Sequence, residues 1–127
     1  MASAPNSHKT ILAVDDDPTV LELLQRTLTD AGYRVLTAPG GRAAIETFEQ
    51  SRVPIDLLLI DVIMPDLTGP VVAERLRARR PELPVLFISG FHDADLVQRF
   101  AALKGFTLLP KPFRREALLR AIEERLA

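Results

Sequence analysis

Five short and almost wholly apolar runs, each followed by a longer segment with apolar residues every three or four positions, constrain this chain more than any other feature. The runs cover residues 10–14, 34–38, 56–60, 84–88 and 107–109. Strands that are apolar at consecutive positions, rather than alternate ones, are covered on both faces, which is the situation in a parallel sheet. The intervening segments, at about 18–31, 41–51, 70–80, 93–103 and 114–126, carry the helical period and its boundary residues. Asp17 before Pro18 places an N-cap ahead of a proline at the first helical position, Gly32 follows the first helix, and Gly69-Pro70 opens the third. The alternation predicts an α/β chain of five βα units around one parallel sheet.

The chain is 127 residues long, enough for one domain that buries roughly two-thirds of its extended-chain surface. Residues 1–8 are expected to be a flexible leader and residues 9–127 a single domain. Sixteen basic residues against 17 acidic ones leave a net charge of −1, so no global field draws the chain to nucleic acid or to an anionic membrane. No cysteine is present, which removes disulfides, thiolate zinc sites and cysteine nucleophiles together. The longest apolar run after the first strand is far below the roughly 20 residues of a membrane helix, and no signal-peptide stretch opens the chain. A cytoplasmic location is expected.

Ligands of open α/β sheets gather at the carboxyl ends of the strands, near the point where strand order reverses. Here the first strand ends in Asp15-Asp16-Asp17, the third in Asp61 and the fourth in Ser89, and the fifth is followed by Lys111. The second ends in Ala38-Pro39. In a doubly wound, flavodoxin-like order 2-1-3-4-5, that uninformative end falls at the edge and the four polar ends become neighbours.

Carboxylates within a few ångströms of one another repel by about 4 kcal/mol per close pair at an effective dielectric near 20, so such a site calls for a hard cation. Magnesium takes oxygen ligands and commonly bridges carboxylates to a phosphoryl group. Asp61 would then be a nucleophile needing no general base, since a carboxylate is already ionised at neutral pH. The cation and Lys111 would neutralise the phosphoryl oxygens, and Ser89 would donate a hydrogen bond to one of them.

The chain resembles the receiver domain of bacterial response regulators (CheY-like) over nearly its whole length. The resemblance rests on Ile-Leu-Ala-Val-Asp-Asp-Asp-Pro at 11–18, Asp-Leu-Leu-Leu-Ile-Asp-Val-Ile-Met-Pro-Asp-Leu-Thr-Gly at 56–69, Phe-Ile-Ser-Gly at 87–90 and Lys-Pro-Phe at 111–113. It implies that Asp61 is phosphorylated by a histidine kinase or a histidine phosphotransfer protein. It further implies that Mg2+ or Mn2+ is held by Asp15, Asp16, Asp61 and the Ile63 backbone carbonyl, with Asp16 the direct and Asp15 the water-mediated ligand of the acid pair. Ser89 is implied as the switch hydroxyl, Lys111 as the phosphate-contacting ammonium, and Lys111-Pro112 as a cis peptide. Such a domain is a phosphoacceptor and not an enzyme with turnover of its own. Its readout surface involves the last two helices and the fifth strand, and residues 85–113 look most like receivers attached to hybrid sensor kinases. One departure stands out: the family usually has an aromatic residue three positions before the lysine, and here that position is Leu108.

Simpler roles compete residue by residue. Asp17 reads as a helix cap, Asp61 or Ser89 alone as a turn or cap residue, and Lys111 alone as a solvated cation. Arg75, Arg77, Arg79 and Arg80 lie toward the end of a helix, where cations complement the dipole, and are read as a solvated face. His8 and His92 are not read as phosphate donors or metal ligands, and Phe48, Phe87 and Phe100 are read as core. The enzyme-class alternative is a haloacid-dehalogenase-like phosphatase, since Asp15-Asp16-Asp17-Pro18-Thr19 fits Asp-x-Asp-x-Thr with Asp15 as nucleophile. It would need a further acidic cluster after Lys111, where only Glu116, Glu123 and Glu124 stand, and it leaves Asp61 without a role. A phosphorylation-silent interaction module is the other alternative.

Overall fold

The structure, a computed structural model, describes residues 9–90 and 105–127. The expected helix at 93–103, with Phe91, His92 and Phe100 around it, and the leader with His8 lie outside those residues. Five strands form one parallel sheet: β1 (Thr10–Val14), β2 (Arg34–Ala38), β3 (Leu57–Asp61), β4 (Val85–Ser89) and β5 (Phe106–Pro110). Their spatial order is β2-β1-β3-β4-β5, as expected, with the reversal between β1 and β3. Four helices are described, α1 (Pro18–Asp30), α2 (Gly41–Gln50), α3 (Gly69–Arg79) and α4 (Arg115–Leu126). None of the described helices is long and apolar enough to cross a membrane.

The central strands β1, β3 and β4 are buried at every position, which is why they read as apolar runs rather than as an alternating pattern. Their side chains point alternately to two cores. On one face Leu12, Val14, Leu58, Ile60, Val85 and Phe87 pack with Ala44 of α2 and Val72, Ala73 and Leu76 of α3. On the other, Ile11, Ala13, Leu57, Leu59, Leu86 and Ile88 pack with Leu24 and Leu28 of α1 and Leu118 and Ile122 of α4. Each fully buried Val, Leu, Ile or Phe among them contributes about 1.5–3 kcal/mol of transfer free energy. Phe87 fills the core as read from sequence, its ring edge-on to Phe106 with centroids 5.5 Å apart, and Phe48 packs against the same cluster half-buried.

Strand boundaries differ from the sequence reading in an informative way. β3 and β4 each begin and end one residue later than expected. Pro84 has no N–H for the ladder, although its carbonyl accepts from Leu58 N at 3.0 Å. Asp56 instead clips the start of β1, accepting from Thr10 N at 2.7 Å through Oδ2 and donating its own N–H to Thr10 O at 2.8 Å. As a result Asp61 is the last paired residue of β3, opposite Ile88, and not the first residue beyond the strand.

At the helix ends, Asp17 caps α1 by accepting from Thr19 N at 2.9 Å, and Gly32 takes the positive φ of 98° that turns the chain into β2. The arginines of α3 are not all solvated. Arg75 and Arg79 are exposed, Arg79 pairing with Glu49 at 2.7 Å, but Arg77 is half-buried and donates from Nε to Leu83 O at 3.0 Å. Burial, and after it the neighbouring Arg125 charge, lowers the Arg77 pKa.

Candidate functional site

The reversal of strand order places the ends of β1 and β3 side by side, with Val14 in register with Ile60. One residue past β1, Asp15 N still donates to Ala38 O at 3.3 Å, so the ladder holds Asp15 in line beside Asp61. Just past the strand the acid pair divides: Asp15 is 1% exposed, whereas Asp16, in the bend that follows, is exposed. Asp15 Oδ1 accepts from Asp17 N at 2.9 Å. Its Oδ2 is buried without a hydrogen bond. Carboxylate oxygens of Asp15, Asp16 and Asp61 all lie within 4.8 Å of one another, and among the described residues they are the one such acidic group. Glu116, Glu123 and Glu124 do not join it, so the cluster demanded by the phosphatase alternative is not found among the described residues.

Lys111 enters from the far side. Its backbone N donates to Ser89 O at 2.8 Å, which continues the β4–β5 pairing past Pro110, and the Lys111-Pro112 bond is cis, as the resemblance implied. The side chain then reaches back across the strand ends. Its Nζ donates to Asp61 Oδ2 at 3.4 Å and lies 3.5 Å from Asp15 Oδ2, too far for a well-formed hydrogen bond to either. Ser89 closes β4 in the same register row as Pro110 and is 5% exposed. Ile63, two residues past β3, is half exposed.

The electrostatics follow from this crowding. Burial pushes the Asp61 carboxyl up from 3.8 to about 6; Lys111 pulls it down, and the charges of Asp15 and Asp16 push it up again. Burial alone would lower the Lys111 ammonium, but Asp61 and Asp15 outweigh it and raise its pKa. One ammonium therefore faces two buried carboxylates and a third at the rim, an excess of negative charge in an oxygen-only donor set. The unbonded Asp15 Oδ2 adds an acceptor in need of a partner. These are features that a hard divalent cation fits.

Two contacts at the site were not read from the sequence, although Gly69 was read there as opening the third helix. Gly69 presses on Asp61: a Cβ there would lie 2.5 Å from the Asp61 carbonyl oxygen and 3.1 Å from Val62 Cα. Asp66 caps α2 from another part of the chain, with Oδ1 accepting from Gly41 N at 3.0 Å and Oδ2 from Arg42 N at 2.9 Å. These bonds, those from Arg42 first, hold its pKa below the ordinary carboxylate value. The available signal was Gly40 at the α2 N-cap, a residue with no side chain to serve the first turn.

Comparison with protein-family profiles matches residues 11–123 to the response regulator receiver domain. The chain belongs to that family. This receiver is 32% identical over 117 residues to the sensor kinase CckA of Brucella abortus, a match covering 92% of this chain and 12% of that protein. It is 34% identical over 118 residues to the response regulator receiver protein CpdR of the same organism, covering 93% and 97% of the two chains. It also superposes on the crystal structure of a response regulator receiver domain protein from Clostridium thermocellum with a TM-score of 0.86, at 27% identity over 93% of this chain and 94% of that one. The receiver thus spans nearly all of CpdR but a small part of CckA, and about half of several other curated relatives.

Proposed function

We propose that this receiver accepts a phosphoryl group from a phosphohistidine donor onto Asp61 and uses the modification to control a partner or an attached domain. The observation that carries the proposal is the Lys111 ammonium 3.4 Å from Asp61 Oδ2, in a cluster with two further carboxylates. Asp15, Asp16, Asp61 and the Ile63 backbone carbonyl would hold Mg2+ or Mn2+, which supplies positive charge against the phosphoryl oxygens. An ionised Asp61 oxygen attacks phosphorus as the P–N bond to the donor imidazole breaks, and the imidazole nitrogen leaves with the electron pair and takes a proton. The Lys111 ammonium neutralises phosphoryl charge, and the Ser89 hydroxyl donates a hydrogen bond to a phosphoryl oxygen. The acceptor is modified once per transfer, so no independent turnover is part of the proposal. A cytoplasmic location is.

The donor is a histidine kinase or a histidine phosphotransfer protein, and an apolar cleft beside the acceptor supports a protein in that role. Val20 and Leu23 of α1, with Lys111, Pro112 and Phe113, line a cavity of about 470 Å³. Leu23 is 56% exposed, a large apolar side chain in solvent at the rim of a charged site.

Incubation with Mg2+ and acetyl phosphate is expected to add one labile phosphoryl mass, detected by intact-protein mass spectrometry and abolished by Asp61→Asn. A label that survives Asp61→Asn and disappears with Asp15→Asn would overturn the assignment in favour of the phosphatase chemistry. No label from any competent donor would favour the silent module.

A further inference from the structure

The stretch between β3 and α3 carries Ile63 and is pinned at its base, where Val62 N donates to Ile88 O at 3.1 Å and Gly69 N to Val62 O at 2.8 Å. Met64 and Leu67 pack into or against the core. Thr68 O accepts from Val72 N of α3 at 3.2 Å, and among the described residues the hydrogen bonds that join residues 63–67 to another element are accepted by Asp66, whose two oxygens take the Gly41 and Arg42 N–H groups of α2. Oδ1 also accepts from Leu67 N at 2.8 Å, fixing the carboxylate against its own loop. The first turn of any helix has N–H groups without an internal acceptor. Gly40 offers none, so α2 is capped in trans. A Cβ at position 40 would lie 3.3 Å from both Asp66 oxygens, so glycine there leaves room for the approach. Pro65 and Asp66 line a cleft of about 400 Å³ together with Asp16, so the tie lies on the rim of the acidic cluster.

We propose that Asp66 is a positioning residue for the cation site: by tying the β3–α3 stretch to the α2 N-terminus it sets where the Ile63 carbonyl stands relative to Asp15, Asp16 and Asp61, and so sets divalent-cation affinity. The proposal rests on the cation reading given above. Groups that orient a metal's ligands commonly change affinity by about 10–100-fold when removed. Met64 and Leu67 keep the stretch packed without Asp66, so its removal loosens the ligand and leaves the fold in place.

The test uses the full chain as wild type, Asp66→Ala, Asp66→Asn, and Asp66→Ala combined with Gly40→Ser. Mg2+ affinity is measured by titration calorimetry, and metal-free stability by urea unfolding in EDTA. Gly40 is extended, the conformation of a serine N-cap, so the double variant restores a cap to α2 without restoring the tie. Asp66→Ala is expected to weaken Mg2+ binding by about 10-fold or more. The double variant should recover stability while its Mg2+ affinity stays low. Asp66→Asn, which keeps an acceptor at Oδ1 and loses the one at Oδ2, should fall between alanine and wild type, and it serves as the comparison if alanine does not fold. Unchanged affinity in Asp66→Ala would overturn the proposal, as would affinity that returns together with stability in the double variant, since Asp66 would then be only a helix cap. If wild type itself binds no Mg2+, the cation reading fails before any variant is considered.

Discussion

Gly69 stands where the smallest side chain would place a carbon 2.5 Å from the carbonyl oxygen of Asp61. The atom in the way is backbone, so it has no rotamer by which to give. Gly69→Ala is therefore expected to destabilise the receiver by about 1–3 kcal/mol, as overpacked cores do, and to slow labelling of Asp61 by displacing it. Urea unfolding and acetyl phosphate labelling check the two effects; a variant matching wild type in both would show that the contact relaxes freely.

Asp61 makes the metal-free protein pH-sensitive. Its folded pKa of about 6 stands above the ordinary 3.8, so the native state binds that proton more tightly than the unfolded chain. Its contribution is present at low pH and is lost as the pH rises from about 4 to about 6. Asp61→Asn is expected to raise stability in EDTA at pH 7.5, by on the order of 2 kcal/mol, and to make little difference at pH 4. Mg2+ affinity should fall as the pH drops below 6, because the proton and the cation compete for the same oxygens. Calorimetric titrations at pH 5 and pH 7.5 would reveal a flat profile if this were wrong.

Lys111 offsets two buried carboxylates in the absence of metal. Removing it in Lys111→Met should lower stability at pH 7.5 in EDTA by about 1–3 kcal/mol, less than for a fully buried ion pair because the Lys111 side chain is 32% exposed. The loss should be smaller in an Asp61→Asn background, where less charge remains to be offset. Equal losses in the two backgrounds, measured as a double-mutant cycle, would mean that the 3.4 Å contact carries no coupling.

The positions of the central strands and the acid cluster were legible in the sequence because both depend on local pattern. Doubly buried strands leave apolar runs, and the runs end in the residues that converge. Element ends were legible to within a residue, and the errors have causes: Pro84 cannot donate to the ladder, and Asp56 serves β1 instead of extending β3. What was not legible is contact across sequence distance. Asp66 caps a helix that begins 25 residues earlier, and a reading that looks for caps beside the helix cannot see it. The burial of Arg77 is of the same kind, since nothing in a run of arginines says which one lies over the Leu83 carbonyl.

Leu23 separates two routes to the same modification. If the α1 cleft seats the protein donor, Leu23→Asp should slow phosphotransfer from a phosphohistidine protein by about 10-fold, the effect of losing one well-buried contact, and leave labelling by acetyl phosphate unchanged. Parallel time courses with the two donors check this; equal slowing with both would mean that the substitution disturbs Asp61 itself.

The place of Asp15 beside Asp61 is set by the register of β1, with Val14 opposite Ile60. A slip of one residue between β1 and its neighbours would put either Val14 or Asp16 in the place of Asp15 and turn the Leu12 face of the strand to the opposite core. A chain misaligned in that way would not bring Asp15, Asp16 and Asp61 together, and the site proposed for the cation would be lost. On the cation reading, binding would therefore favour the in-register sheet, since the ion stabilises the molecules whose three carboxylates meet.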